Sequence, residues 1–174
     1  MSPQILCLTQ LSLGYVPWLL CFRLYIWPRL KMMDRVDAHR AIAALHSFRF
    51  FGLAFLIPGI VGPALPAGFA VFAAYANFTT GVLAMLVLLT ARIRPLFWPF
   101  VLAFNLAGIG DIAVDFYHAV HVTLPAAAGQ LGAMYAFVIL YVPLQMITHI
   151  AAFYLLMGSQ PDAVRSFAGD VATS

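Results

Sequence analysis

Two carboxylates and an imidazole, Asp111, Asp115 and His118, are spaced i, i+4 and i+7 inside an otherwise apolar run, residues 95–120. On a helix of about 3.6 residues per turn they share one stripe. A carboxylate at membrane depth is costly unless it is protonated or paired, so the stripe marks a candidate site for proton handling or for pairing with a buried cation. Partners for it are found in other apolar runs: Arg49, Asn105, His149, Asn77 and His46. With Asp111 and Asp115 these form the candidate binding or translocation set, in which Asp111 is the protonatable centre and the others line a route.

Subsets of these residues fit two cofactor chemistries. His46 and His149 fall on different apolar runs at similar depth, an arrangement that can clamp a b-type haem. Asp115, His118 and His121 offer oxygen and nitrogen ligands at helical or near-helical spacing, a candidate set for a metal ion. Retinal is excluded, because the only lysine, Lys31, lies between apolar runs and no run offers a Schiff-base amine. Neither a Gly-x-Ser-x-Gly elbow nor a His-Glu-x-x-His pair occurs, so the reading leans away from an enzyme.

What must position these groups is a bundle of membrane helices. The chain is 64% hydrophobic and 9% charged, against about 25% charged in soluble domains. Its mean hydropathy is +0.96. The expectation is an all-α integral membrane protein, one membrane domain over residues 1–174, with five spans at about 5–27, 41–62, 69–89, 96–118 and 131–157. The run beginning at Phe50 is too short to cross about 30 Å before Pro63, so the second span is drawn back to residue 41 and takes in His46 and Arg49. A basic connector, residues 28–40, and a mobile tail, residues 158–174, complete the layout.

Arg29, Lys31, Arg35, Arg40, Arg92, Arg94 and Arg165 all fall on one side of this five-span arrangement. The positive-inside rule then places the N-terminus outside and the C-terminus inside. The net charge of +3 is thereby explained by topology, and no nucleic-acid partner is implied. The first 22 residues hold no Lys or Arg, so the first run reads as a retained span and not as a cleaved signal. Cys7 and Cys21 would lie about 21 Å apart along one helix, too far for a disulfide. The Asn77–Phe78–Thr79 sequon sits inside a span, out of a transferase's reach.

Counting about 1.5 Å per residue puts Arg49 about 12 Å and Asp111 about 22 Å from the inner boundary. Two polar layers follow: an inner one of His46, Arg49, Asn105 and His149, and an outer one of Asn77, Asp111, Asp115 and His118. Because helical side chains lean toward their own N-terminus, about 10 Å of depth is expected between Arg49 and Asp111, so that a direct pair needs a long reach of the side chain, or else Asn105 or water stands between them. The segments LHSFRFFGL (residues 45–53) and NLAGIGD (residues 105–111) resemble bacterial membrane proteins in character, which suggests an inner (cytoplasmic) membrane but no activity.

Three functions fit this pattern. The first is a small oligomeric carrier or channel for a solute or ion, proton-linked through Asp111. The second is a haem- or quinone-binding redox subunit, and the third a non-catalytic accessory or assembly subunit of a larger membrane complex. The expected partners are membrane lipid and either further copies of the chain or other subunits.

Overall fold

The computed structural model describes residues 2–121 and 124–158. The expected tail, with Arg165, lies outside the described residues, apart from Gly158. Among those described the chain is all-helical, and four helices are long and apolar enough to cross a membrane. These are α1 (Pro3–Met32), α3 (Ala67–Leu89), α4 (Arg94–His121) and α5 (Met134–Met157). Between the first two comes the shorter α2 (Arg35–His46), followed directly by a 3-10 segment, Ser47–Leu56.

The local chemistry of the helix ends is readable. Ser2 caps α1 by accepting the Ile5 amide at 3.3 Å, with Pro3 placed where its missing N–H costs nothing. Asp34 caps α2 through the amides of Val36 and Asp37, at 2.8 and 3.1 Å. The expected connector is therefore mostly helical: α1 runs through Lys31, and only Met33–Asp34 separates it from α2. A π segment, Phe137–Tyr141, lies just before Pro143, whose ring has no N–H to give the preceding turn. Trp18 of α1 braces the same turn by donating its indole N–H to the Leu140 carbonyl at 2.7 Å.

The second expected span, residues 41–62, is not one α-helix. Its α-helical part begins at Arg35 and ends at His46, and the 3-10 segment takes over before a turn at Pro58–Val61. A ten-residue 3-10 run is uncommon on its own merits, since its hydrogen bonds are poorer than those of an α-helix. Close packing on α3 supports it. A Cβ at Gly52 would collide with Asn77, and one at Gly81 would stand 3.0 Å from the Phe50 nitrogen.

Two apolar clusters lie at opposite ends of the bundle. One joins Leu30, Ile42, Val87, Phe97, Val101, Phe104 and Leu155; the other joins Phe55, Phe69, Leu124, Leu131 and Met134. Along α3 the second cluster ends at Ala74 and the first begins at Ala84, with Asn77 and Thr80 buried between them. The polar residues thus lie between two apolar clusters. At the second end, Gly132 adopts φ 54° because a Cβ there would meet the Ile60 carbonyl, and Ile60 in turn accepts the Ala133 amide at 3.0 Å. α1 is peripheral: over Pro3–Cys21 it buries only Cys7 and Gly14, it packs on α5, and it barely touches α4.

Candidate functional site

Arg49, third residue of the 3-10 segment, has a side chain only 1% exposed and is held on three sides. Its Nε donates to Asn77 Oδ1 at 3.0 Å, its Nη1 to His149 Nε2 at 3.3 Å, and its Nη2 to Asp111 Oδ2 in a buried ion pair. The two asparagines are oriented by backbone. Asn77 Nδ2 donates to the Ala73 carbonyl and Asn105 Nδ2 to the Val101 carbonyl, both at 2.8 Å. Each amide oxygen is therefore left to accept.

That fixes the tautomer of His149. Its Nδ1 lies 3.0 Å from Asn105 Oδ1, which can only accept, so Nδ1 carries the proton and Nε2 is free to take the Arg49 N–H. His46 follows the same logic. Thr148 donates its hydroxyl to the Leu144 carbonyl at 2.8 Å and so accepts from His46 Nε2, also at 2.8 Å. Gly108 supplies the room for this arrangement, since a Cβ there would overlap the His149 ring.

The expected inner layer and two members of the outer one, Asn77 and Asp111, form one cluster, and the expected gap between Arg49 and Asp111 is closed by direct contact. The depth count assumed a constant α-helical rise and an α-helical lean of the side chain. Residues 47–56 form a 3-10 helix with a rise of about 2.0 Å per residue, which adds only about 1.5 Å by Arg49, so most of the gap is closed by the direction and reach of the Arg49 side chain. The structure brings together Arg49, Asp111, Asn77, Asn105, His149 and His46. It keeps His118 apart, with its ring packed edge-on against Phe72 at 5.1 Å, and leaves His121 exposed at the end of α4 beside Tyr117. Among the described residues no three His, Cys, Asp or Glu side chains converge to hold a metal ion, so Asp115, His118 and His121 do not assemble as a ligand set.

The haem expectation does not fit either. Axial imidazoles must stand on opposite faces of a porphyrin. The rings of His46 and His149 are 4.2 Å apart, His46 Nε2 is bonded to Thr148, and both nitrogens of His149 are engaged. No porphyrin passes between them.

Several buried polar atoms keep no partner among the described residues: Asp111 Oδ1, Asp115 Oδ1 and both amide atoms of Gln145. Gln145 is fully buried, and the neighbouring Tyr141 hydroxyl is donated to the Leu45 carbonyl. Asp115 and Gln145, with Asn77, line a cavity of about 140 Å³ whose remaining walls are apolar, Phe55, Phe69, Leu131 and Phe137 among them. The cavity opens sideways between α1 and α4, past Leu8, Phe116 and Val120, which are 46%, 38% and 71% exposed. Gln145 is the site residue that reasoning from the charged stripe passes over. Its signal in the sequence is its position four residues before His149, on the same helical face.

Residues 6–157 match a family model described as a domain of unknown function (DUF8737). The chain belongs to this family. No curated protein and no solved structure matches the chain. In this DUF8737 chain the matched region takes in every residue of the Arg49 cluster and of the cavity wall.

Proposed function

We propose that this chain is a proton-linked carrier for a small solute that reaches its site from the lipid phase, with a proton held between Asp111 and Asp115 that also crosses when the solute site is empty. One observation carries the reading: two carboxylates a single turn apart each keep an unpartnered buried oxygen, and only one of them, Asp111, is paired with the buried Arg49 guanidinium. With all three ionised the cluster holds one excess negative charge away from water, which is costly unless a proton or a ligand cation offsets it. Asn77 ties this charge balance to the cavity, since it accepts from Arg49 and also lines the cavity wall.

The proposal includes five crossings, N-terminus outside, in a bacterial inner membrane. At about 1.5 Å per α-helical and 2.0 Å per 3-10 residue, α2 and the 3-10 segment together reach about 38 Å, enough for a bilayer core of about 30 Å. The basic residues Arg29, Lys31, Arg35, Arg40, Arg92 and Arg94 then share the inner side. Further copies of the chain would cover the open flank of α1 and α4.

The test is flux. Proteoliposomes with a trapped pH dye, voltage-clamped with potassium and valinomycin, should equilibrate an imposed pH step faster than empty vesicles. Asp115→Asn should remove most of that gain. Equal rates in wild type, variant and empty vesicles would refute the carrier reading.

A second reading, a non-catalytic subunit of a larger complex, is favoured by how completely Arg49, Asn77, Asn105 and His149 satisfy one another. A stoichiometric partner retained through mild-detergent purification, together with no flux, would decide for it.

A further inference from the structure

We propose that the lateral cavity is a binding site for a small lipophilic amine, with its apolar body among Phe55, Phe69, Leu131 and Phe137 and its ammonium group on Asp115 Oδ1. The inference names the solute class of the carrier reading and rests on that reading's charge count. The cavity's size sets the body of the ligand. About 140 Å³ matches the roughly 150 Å³ of an apolar cavity known to hold benzene, so one ring or a short alkyl stretch is enclosed. The side opening past Leu8, Phe116 and Val120 admits such a molecule from the acyl chains and lets a longer tail remain in them.

The polar end sets the head. A purely apolar occupant would leave Gln145 and Asp115 Oδ1 unpaired, at the cost of desolvated polar atoms. Gln145, fully buried and with both amide atoms unpartnered, offers one acceptor and two donors at the cavity wall. The sign of the head follows from the groups around Asp115. Arg49 from the 3-10 segment is already paired with Asp111, and His118 on the same helix is turned to Phe72. Cys7 of α1, Asn77 of α3 and Gln145 of α5 bring no cation to the cavity. An anionic head would add a third negative charge, whereas an ammonium replaces the proton and leaves the cluster neutral. It donates to Asp115 Oδ1 and to the Gln145 amide oxygen in charge-assisted hydrogen bonds.

The experiment is equilibrium binding of tritiated 2-phenylethylamine to the full chain in lipid nanodiscs, with empty nanodiscs as the blank and no gradient present. Saturable binding is expected. Unlabelled amine should compete about tenfold or more better than the neutral 2-phenylethanol or the anionic 3-phenylpropanoate. Asp115→Asn should weaken binding by about 10- to 100-fold, the range for losing a hydrogen bond to a charged group. Ala119→Phe keeps every polar group and fills the cavity; it should abolish binding, with helical circular dichroism and thermal midpoint reporting that both variants remain folded. Absence of saturable binding, equal competition by the alcohol or the carboxylate, or unchanged binding in either folded variant would overturn the proposal. Amine binding without proton flux would keep this site and refute the carrier; flux without amine binding would do the reverse.

Discussion

Replacing Arg49 with methionine asks how much of the fold hangs on one guanidinium. The side chain is 1% exposed and its partner Asp111 2%. Removing one member of a buried ion pair costs about 3–5 kcal/mol, because the other charge is stranded. Asn77 Oδ1 and His149 Nε2 lose their donor as well, each worth about 0.6 kcal/mol by the average for membrane interhelical bonds. Arg49→Met should therefore destabilise by about 4–6 kcal/mol, or three to four orders of magnitude in the folding equilibrium. Asp111→Leu alone leaves the guanidinium stranded and should cost about 3–5 kcal/mol. The double variant has no stranded charge and only the two neutral acceptors unpaired, so it should lose about 1 kcal/mol. Reversible unfolding in mixed detergent–SDS micelles, followed by circular dichroism, measures all three. A double variant that costs the sum of the singles, or singles that each cost under about 1 kcal/mol, would refute the ion pair as the bundle's centre.

Other expected outcomes are simpler to check. Gly108→Ala should destabilise despite a helix-propensity gain of about 1 kcal/mol, because the new methyl meets the His149 ring; Gly110→Ala, with open space around it, should be neutral or stabilising in the same assay. Trp18→Phe should cost about 1 kcal/mol by freeing the Leu140 carbonyl beside the Pro143 break, and should loosen α1 in hydrogen exchange before the other helices. In a chain whose Cys7 and Cys21 are replaced by serine, Lys31→Cys and Ala64→Cys should label with an impermeant maleimide from opposite sides of the membrane; labelling from one side would remove the second crossing. At the start of α2 the Asp37 backbone amide, with that of Val36, holds the Asp34 carboxyl below its ordinary range. Its capping contribution is present above the unfolded carboxylate range and is lost as pH falls through the lowered value, so Asp34→Ala should lower stability at neutral pH and converge with wild type in acid, leaving a shallower acid limb in the stability profile.

The sequence by itself determined the class of molecule and most of its cast. An apolar content of 64% over 174 residues, arranged in runs long enough to cross a bilayer, points to helices that satisfy their own backbone, and α3 and α4 fall within two to three residues of their expected bounds. Arg49, Asp111, Asn105, His149, Asn77 and His46 were legible because polar groups in apolar runs are costly and therefore conspicuous. What only the tertiary structure decided is how they meet. Whether Ser47–Leu56 continues as α-helix or tightens to 3-10 depends on Gly52 lying against Asn77 of α3 and on Gly81 of α3 lying against Phe50, contacts between residues far apart in the chain that no local propensity encodes. From that segment the Arg49 side chain reaches Asp111 directly. It leaves Asp115 and Gln145 facing a cavity in place of the haem and metal sites that spacing alone allowed, because spacing along one helix says nothing of the distance to the next.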